Sequence, residues 1–126
     1  MFPKECRYAE THEWARLEKD IVTIGITGFA VEQLGDIVYL EMPKVGDKIQ
    51  KGSSFGMVES VKATSDLYAP VGGEVAEVNS EISANLEAFK TDPYGQAWLI
   101  KIKPSDKKEL DSLMDAETYE KQLQGH

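Results

Sequence analysis

The chain has 126 residues, about the length of one domain and enough for a single modest hydrophobic core. Its 14 Lys and Arg residues stand against 22 Asp and Glu residues, and the resulting formal net charge of −8 argues against binding to nucleic acid or to an anionic membrane. No stretch approaches the roughly 20 apolar residues that span a bilayer.

The N-terminal segment bears on where the protein works. Residues 1–10 are interrupted by charged residues and contain no apolar run, so they do not have the pattern of a secretory signal. We therefore expect a cytoplasmic protein, although a mature mitochondrial protein without its presequence would look the same. With Cys6 as its only cysteine and His12 and His126 as its only histidines, the chain is not expected to hold a metal ion.

The first two-thirds of the chain has the pattern of short β-strands separated by turns. The β-branched segment 21–26 predicts a strand in which Gly25 marks a bulge or a close backbone approach. Residues 27–34 predict a short helical turn that ends at Gly35. Further strands are predicted at residues 36–42, 55–61, 65–69 and 74–78.

The last third predicts more helix than strand. Residues 80–89 have apolar side chains at helical spacing, with Ser80 as the expected N-cap, and residues 98–103 predict a final strand. Asp106 and Glu109 fit a capping box at the start of a further helix, which we expect to break near Asp115.

These elements predict one β-rich domain over residues 1–126 with a C-terminal helical segment at 105–124. Helices gather at the C-terminal end, and no low-complexity stretch or linker divides the chain. We therefore expect a mainly β fold with a small helical part.

Lys62 lies midway between two glycine turns. Gly52 precedes it by ten residues, and Gly72 follows it by ten. A β-rich run on each side, within residues 45–79, predicts a hairpin with Lys62 at its exposed tip. Such a lysine is accessible to an acylating enzyme, and acylation would remove its charge and lengthen it into an arm. On spacing alone, an ordinary solvated turn lysine is the more common case.

The motifs around Lys62 resemble those of a known family. ESVKA at 59–63, SDLYAP at 65–70 and GEV at 73–75 are similar to the lipoyl-attachment segment of the glycine cleavage system H protein family. The likeness continues in the family's order from about Tyr8 to Leu123. It includes HEW at 12–14, GIT at 25–27, LGDIV at 34–38, DPYG at 92–95, WLIKIKPS at 98–105 and LDSLMDAETY at 110–119.

The resemblance implies a barrel-sandwich hybrid, built from two small antiparallel sheets with C-terminal helices, and a non-catalytic, monomeric carrier. Lys62 would hold lipoate in amide linkage, placed there by a lipoate-attaching enzyme. Glycine decarboxylase would load the arm with an aminomethyl group, and a tetrahydrofolate-dependent aminomethyltransferase would take the carbon. Dihydrolipoamide dehydrogenase would then reoxidise the dithiol.

Three carboxylates are candidate site residues. Glu59 and Asp66 flank Lys62, either as ordinary surface carboxylates or as groups that help the attaching enzyme recognise the hairpin. In the family, the Glu of HEW and the Asp after the lysine belong to a cleft that protects the loaded arm; these positions correspond to Glu13 and Asp66. A carboxylate there would pair with the cationic amine of the aminomethyl group.

The chain departs from the family pattern near the expected cleft. Gly28 and Phe29 follow GIT where members often have an acidic residue and then an aromatic residue or His, and Gln33 stands where members often have His. Gln33 forms hydrogen bonds but carries no charge. An alternative function therefore stays open, an H-like protein that acts mainly as a lipoate relay or as a carrier in another lipoate-dependent pathway.

Other classes fit the residues around Lys62 less well. Biotinyl domains favour Met on both sides of the lysine, where this chain has Val61 and Ala63. Lipoyl domains of 2-oxoacid dehydrogenases usually have Asp before the lysine and belong to larger chains. An enzyme that used Lys62 as a nucleophile would need it desolvated beside an acid or base, whereas a turn lysine is solvated.

Overall fold

The computed structural model describes residues 2–124, in which nine strands form two antiparallel sheets. The strands are β1 (Arg7–Tyr8), β2 (Glu13–Glu18), β3 (Ile21–Ile26), β4 (Ile37–Glu41), β5 (Lys48–Ile49), β6 (Ser54–Ser60), β7 (Thr64–Tyr68), β8 (Gly73–Val78) and β9 (Ile100–Pro104). The larger sheet has the order β1-β2-β3-β9-β8-β5, and the smaller has the order β4-β6-β7. The predicted fold, mainly β with two antiparallel sheets and C-terminal helices, is confirmed.

Most predicted strands agree with the structure. β3 has the predicted bounds, and β4, β6, β7 and β8 agree with the prediction to within one residue at each end. The close approach predicted at Gly25 is also confirmed, because this residue pairs with Trp14 and a Cβ on it would lie 2.5 Å from the indole ring. β2 has no counterpart among the predicted strands, since its buried residues are the consecutive Glu13, Trp14 and Ala15 and do not alternate with exposed ones.

The short helix after β3 is built as predicted. α1 spans Gly28–Leu34, and the hydroxyl of Thr27 caps it by accepting a hydrogen bond from the backbone N–H of Ala30 at 3.2 Å. At the other end, the N–H of Gly35 donates to the carbonyl of Val31 at 3.0 Å. Gly35 has a φ of 80°, a left-handed conformation that favours glycine at a helix end.

The single helix predicted over residues 80–89 is wrong. The segment forms a 3-10 helix at Ser80–Ala84 and a separate α2 at Ala88–Thr91. Asn79 precedes the first of these, and its side chain donates to two backbone carbonyls of the loop before β9 instead of capping the helix. The apolar spacing arose because Ile82 and Phe89 both reach the core, each from its own element.

The C-terminal segment also differs from its prediction in detail. A 3-10 helix occupies Lys107–Ser112, and α3 spans Ala116–Gln124, with the predicted break near Asp115 between them. Asp106 caps the 3-10 helix as predicted, because its carboxylate accepts from the backbone N–H of Lys108 at 3.0 Å. The reciprocal half of the capping box is wrong, because the carboxylate of Glu109 accepts from the distant backbone N–H of Gly72 at 2.9 Å. The strand predicted from residue 98 begins at residue 100.

The core lies between the two sheets and beneath α1 and α2. One cluster of buried apolar side chains draws on both sheets, among them Ile24, Val58, Leu67 and Ile100. Both sheets thus share one core within residues 2–124, and the single domain over residues 1–126 stays a prediction. A second cluster ties α3 and the N-terminal segment to the larger sheet; it contains Cys6, Tyr8, Trp14 and Tyr119.

Candidate functional site

The loop between β6 and β7 carries Lys62 and is held by one serine. The hydroxyl of Ser60 accepts from the N–H groups of Lys62 and Ala63 at 3.2 and 3.1 Å and donates to the carbonyl of Ala63 at 3.2 Å. Ser60 is buried, whereas the Lys62 side chain is exposed. Sequence reasoning missed Ser60, although a serine two residues before a turn lysine is a signal for such a side-chain turn.

A second contact holds the same loop against the end of α1. The N–H of Val61 donates to the carbonyl of Asp36 at 3.0 Å. The aliphatic part of Lys62 passes over Gly35, where a Cβ would lie 3.4 Å from Lys62 Cε. The backbone of Lys62 is therefore fixed on two sides, while its amine stays accessible to solvent.

Glu59 and Asp66 lie on the outer face of the three-stranded sheet. In one row across the strands Tyr39, Glu59 and Thr64 are opposite each other, and in the next row Glu41 and Asp66 flank a methionine of β6. The structure thus brings Glu59 and Asp66 to one exposed face, with the Lys62 loop at its end. The three strands contain no Lys or Arg, so the formal charge of this sheet comes from carboxylates alone.

Glu13 is a buried carboxyl in the interior. It begins β2, is 1% exposed, and accepts hydrogen bonds from the N–H of Tyr68 at 3.0 Å and from the hydroxyl of Thr11. Burial raises the pKa of Glu13 to about 7, although these hydrogen bonds favour the carboxylate and partly oppose the shift. A carboxyl with this pKa changes its charge near neutral pH.

Glu13 and Lys62 lie at opposite ends of β7. Tyr68, whose N–H binds Glu13, ends the strand, and Lys62 lies just before its start. Tyr68 is four residues along the strand from Thr64, a length of roughly 13 Å at about 3.3 Å per residue. Asp66 lies between them on the same face of the strand, since alternate side chains share a face. Lys62, Asp66 and Glu13 are therefore spread along the length of β7 and do not form a compact cluster.

A groove of about 540 Å³ adjoins the hydrogen-bond partners of Glu13, and we call it the β7 groove. Thr11 and Tyr68 line it on one side. On the other side Lys51 connects its walls, because its ammonium group donates to the hydroxyl of Ser112 at 2.6 Å and to the carbonyl of Pro70 at 3.2 Å. The remaining lining residues are Tyr8, Ala9, Glu10, Gly52, Ala69, Leu113 and Met114.

A network centred on Tyr119 supports the segment before Glu13. The Tyr119 hydroxyl is 2.7 Å from Nδ1 of His12 and 2.9 Å from the hydroxyl of Thr27. His12 has a φ of 77°, an uncommon conformation for a residue with a side chain. The C-terminal helix therefore contributes to the placement of Glu13, a role that no local pattern in the sequence indicated.

The residues that depart from the family pattern lie on α1. The N–H of Gly28 donates to the Tyr94 hydroxyl at 2.9 Å, and the Phe29 ring lies 5.0 Å from that of His12. Gln33 is exposed. Phe29 therefore supports the His12 segment by packing, and Gln33 is open to solvent.

Within residues 2–124, no group of three or more His, Cys, Asp or Glu side chains is arranged to hold a metal ion. None of the helices in this described part of the chain is long and apolar enough to cross a membrane. His126, considered above as a metal ligand, lies outside the described residues.

Comparison with known proteins gives consistent matches over the whole chain. The family model described as "Glycine cleavage H-protein" matches residues 6–126. The chain is 52% identical over 117 residues to the glycine cleavage system H protein of Anaeromyxobacter sp. (strain K), covering 93% of this chain and 91% of that protein. It is 52% identical over 122 residues to that of Carboxydothermus hydrogenoformans, covering 97% and 94%.

A solved structure agrees with the fold. The crystal structure of a glycine cleavage system H protein from Mycobacterium marinum superposes with a TM-score of 0.90 at 36% sequence identity. The match covers 98% of this chain and 99% of that one. Both the sequence and the arrangement of the two sheets are therefore similar to those of that protein.

Proposed function

Because the chain belongs to the glycine cleavage H-protein family, whose members are lipoyl carriers and not catalysts, we propose that Lys62 carries lipoate in amide linkage. The protein shuttles the aminomethyl group from glycine decarboxylase to aminomethyltransferase, and dihydrolipoamide dehydrogenase then reoxidises it. The observation that carries this proposal is an exposed Lys62 on a loop fixed by Ser60, within the matched segment.

Attachment requires Lys62 to react as an uncharged amine. Its nitrogen attacks the carbonyl of an activated lipoyl group, the amide C–N bond forms, the activating group leaves with its electron pair, and the amine proton passes to solvent. The exposed side chain supports access by a second enzyme. The hydrogen bonds that the backbone N–H groups of Lys62 and Ala63 donate to Ser60, and the contact between Val61 and Asp36, support a fixed presentation of the backbone, which lowers the entropy lost on docking.

The dimensions of the hairpin suit such an arm. When bound, the lipoyl group supplies a disulfide that takes up the aminomethyl group and a dithiol that remains after the carbon is removed. A lipoyl-lysine arm of about a dozen bonds reaches roughly 14 Å. That length is close to the roughly 13 Å that β7 spans between the Lys62 loop and Tyr68. The fit supports a resting position for the loaded end in the β7 groove.

We propose that Asp66 and Glu13 bind the cationic amine of the aminomethyl group. Asp66 lies midway along β7 and would meet the arm first, whereas Glu13 lies beside Tyr68 at the far end. A cation next to Glu13 favours its carboxylate form and lowers its pKa. Lys51 also borders the groove, where its ammonium group donates to oxygens of the groove wall; its positive charge makes that side of the groove less favourable for a cation than the side of Glu13.

We further propose that the protein works as a monomer in the cytoplasm and meets each enzyme transiently. The matched relatives are bacterial proteins, which supports the location. The net charge of −8 supports docking onto basic enzyme surfaces. Sedimentation analysis tests the monomer, and a stable dimer would contradict it.

Intact mass tests the attachment. Protein produced with lipoate available is expected to gain the mass of one lipoyl group, and Lys62→Ala is expected to gain none. Lys44→Ala, which removes another exposed lysine, is the matched control and is expected to be modified like the wild type. An unmodified wild-type protein would contradict the proposal.

The glycine cleavage role needs its own assay, namely release of carbon dioxide from glycine by glycine decarboxylase in the presence of lipoylated protein. Wild-type protein is expected to support the reaction, and Lys62→Ala is not. A protein that is lipoylated but inert in this assay would instead indicate the lipoate relay. None of the placements of Gly28, Phe29 and Gln33 favours that alternative.

A further inference from the structure

β4 contains a bulge that turns two successive apolar side chains outward. Its pairing with β6 shifts register between Ile37 and Tyr39, so Val38 is the extra residue. As a result Ile37 and Leu40 face the core, whereas Val38 and Tyr39 are 49% and 51% exposed. A bulge disrupts the ladder locally, and bulges are common beside functional sites because they re-aim side chains.

The bulge lies at the end of the sheet that carries Lys62. Ile37 is opposite Ser60, and the residue before it accepts the hydrogen bond from Val61 N–H. Val61, the immediate neighbour of Lys62, is 68% exposed. Three large apolar side chains are therefore open to solvent around the attachment loop. We call Val38, Tyr39 and Val61 the bulge surface.

The bulge surface is bordered by negative charge. Tyr39 is directly opposite Glu59, and Glu41 and Asp66 lie in the next row of the same outer face. No Lys or Arg occurs in β4, β6 or β7. Asp36, which binds the N–H of Val61, is paired with Lys90, so the rim is mainly but not wholly negative. An apolar centre with a polar rim is typical of a protein interface, and a partner that matches this rim has an apolar pocket bordered by Arg or Lys.

We propose that the bulge surface is the docking site of the enzyme that transfers an activated lipoyl group to Lys62. This inference rests on the proposed function, since it assumes that Lys62 is the acceptor. In the transfer a C–N bond forms at Nζ, the bond from the lipoyl carbonyl to its activating group breaks, and one proton is lost from the amine.

The distance to the reacting atom selects this enzyme over the others. The attaching enzyme brings its acyl donor to Nζ itself, so its surface must lie close to the Lys62 backbone and hence to Val61, Val38 and Tyr39. Enzymes that act on the loaded arm work roughly 14 Å from that backbone. They can bind the carrier without covering the bulge surface.

Steady-state kinetics of lipoyl transfer test the proposal, with the unmodified protein as the varied substrate and intact mass as the readout. Val38→Ser and Tyr39→Ser are expected to raise KM on the order of tenfold while kcat changes by less than about twofold, because they weaken docking and leave Lys62 in place. Tyr39→Phe keeps the apolar ring and is expected to resemble the wild type. Leu17→Ser is the matched control, since Leu17 is 42% exposed on the other sheet.

The charged rim gives a second, independent measurement. Glu41→Lys is expected to raise KM and to weaken its dependence on salt, because it replaces an attraction by a repulsion at the edge of the interface. Glu81→Lys makes the same charge change at an exposed residue of the 3-10 helix after β8 and is expected to change KM little. Thermal unfolding of each variant checks that folding is unaffected.

The outcomes separate this inference from the proposed function. Wild-type protein that accepts no lipoyl group would contradict the proposed function itself. Normal modification of the wild type with unchanged KM in Val38→Ser and Tyr39→Ser would overturn only the docking site. If these variants accept the lipoyl group normally but, once lipoylated, support little carbon dioxide release by glycine decarboxylase, the choice of partner is overturned.

Discussion

Replacing the buried carboxyl of Glu13 by its neutral isostere is expected to make the protein more stable at alkaline pH. Glu13 is 1% exposed, and burial raises its pKa from 4.5 to about 7. Below pH 4.5 the group is protonated in both the folded and the unfolded chain, so its ionisation does not affect the free energy of unfolding. Between pH 4.5 and 7 the unfolded chain ionises first, so the free energy of unfolding falls as pH rises. Above pH 7 the carboxyl is ionised in both states, and the free energy of unfolding stays lowered by the full cost of burying the charged group.

The size of this cost follows from the two pKa values. A carboxyl that titrates near pH 7 in the folded chain and near 4.5 in the unfolded chain lowers the free energy of unfolding at pH 8 by roughly 3 kcal/mol. In Glu13→Gln the amide oxygen still accepts from the N–H of Tyr68, and its NH₂ group faces the hydroxyl of Thr11. The variant is therefore expected to gain about 2 to 3 kcal/mol at pH 8 and little at pH 5.

Urea denaturation at pH 5 and pH 8 measures this difference directly. Glu81→Gln is the matched control, because Glu81 is exposed and its loss is expected to change stability equally little at both pH values. If Glu13→Gln shows the same pH dependence of the free energy of unfolding as the wild type, the cost does not come from Glu13 and the reasoning is refuted.

The same variant separates stability from function. In the lipoylated protein Glu13→Gln is expected to shorten the lifetime of the aminomethyl-loaded form severalfold, because a neutral amide binds a cation less strongly than a carboxylate does. A more stable but less protective protein would show that the buried carboxyl is kept at the expense of stability. An unchanged lifetime would remove Glu13 from the β7 groove's function.

Two further substitutions test the framework around the site. Gly25→Ala is expected to lower the free energy of unfolding by about 2 kcal/mol, because its Cβ would lie 2.5 Å from the Trp14 ring. Gly28→Ala is the control, because the added Cβ meets its nearest neighbour at 3.7 Å. Equal stability of the two variants in urea denaturation would contradict the close approach. Ser60→Ala is expected to cost about 1 kcal/mol of stability and to slow lipoyl transfer severalfold, because the attachment loop loses three hydrogen bonds. Ser65→Ala, at an exposed neighbouring position, is its control, and an equal transfer rate in both variants would exclude a positioning role for Ser60.

Local elements of this protein could be predicted where their cause is local. Strand β3 and helix α1 agree with prediction because alternation of β-branched residues, a Thr27 cap and a left-handed Gly35 each depend on neighbours a few residues away. The role of Lys62 could not be predicted in this way, since its spacing from Gly52 and Gly72 would suit any lysine in a turn. Its assignment as a lipoyl carrier came from the order of motifs along the chain.

Long-range contacts could not be read from the sequence. The bond between Glu13 and the N–H of Tyr68 joins residues 55 apart, and that between Glu109 and Gly72 joins residues 37 apart. The bulge at Val38 exists only in relation to β6. No local periodicity encodes such partners, because they meet only when the two sheets close on one core.

The order of motifs along the chain thus predicts Lys62 as the attachment residue and indicates the family, and local patterns predict most of the strands. How Lys62 is presented depends on contacts between distant parts of the chain. The tertiary structure fixes the Lys62 backbone through Ser60, and it buries Glu13 at the far end of β7, roughly one arm's length away. Local patterns do not encode these features, because the burial and the pKa of a carboxyl depend on everything packed around it, which the chain acquires only on folding.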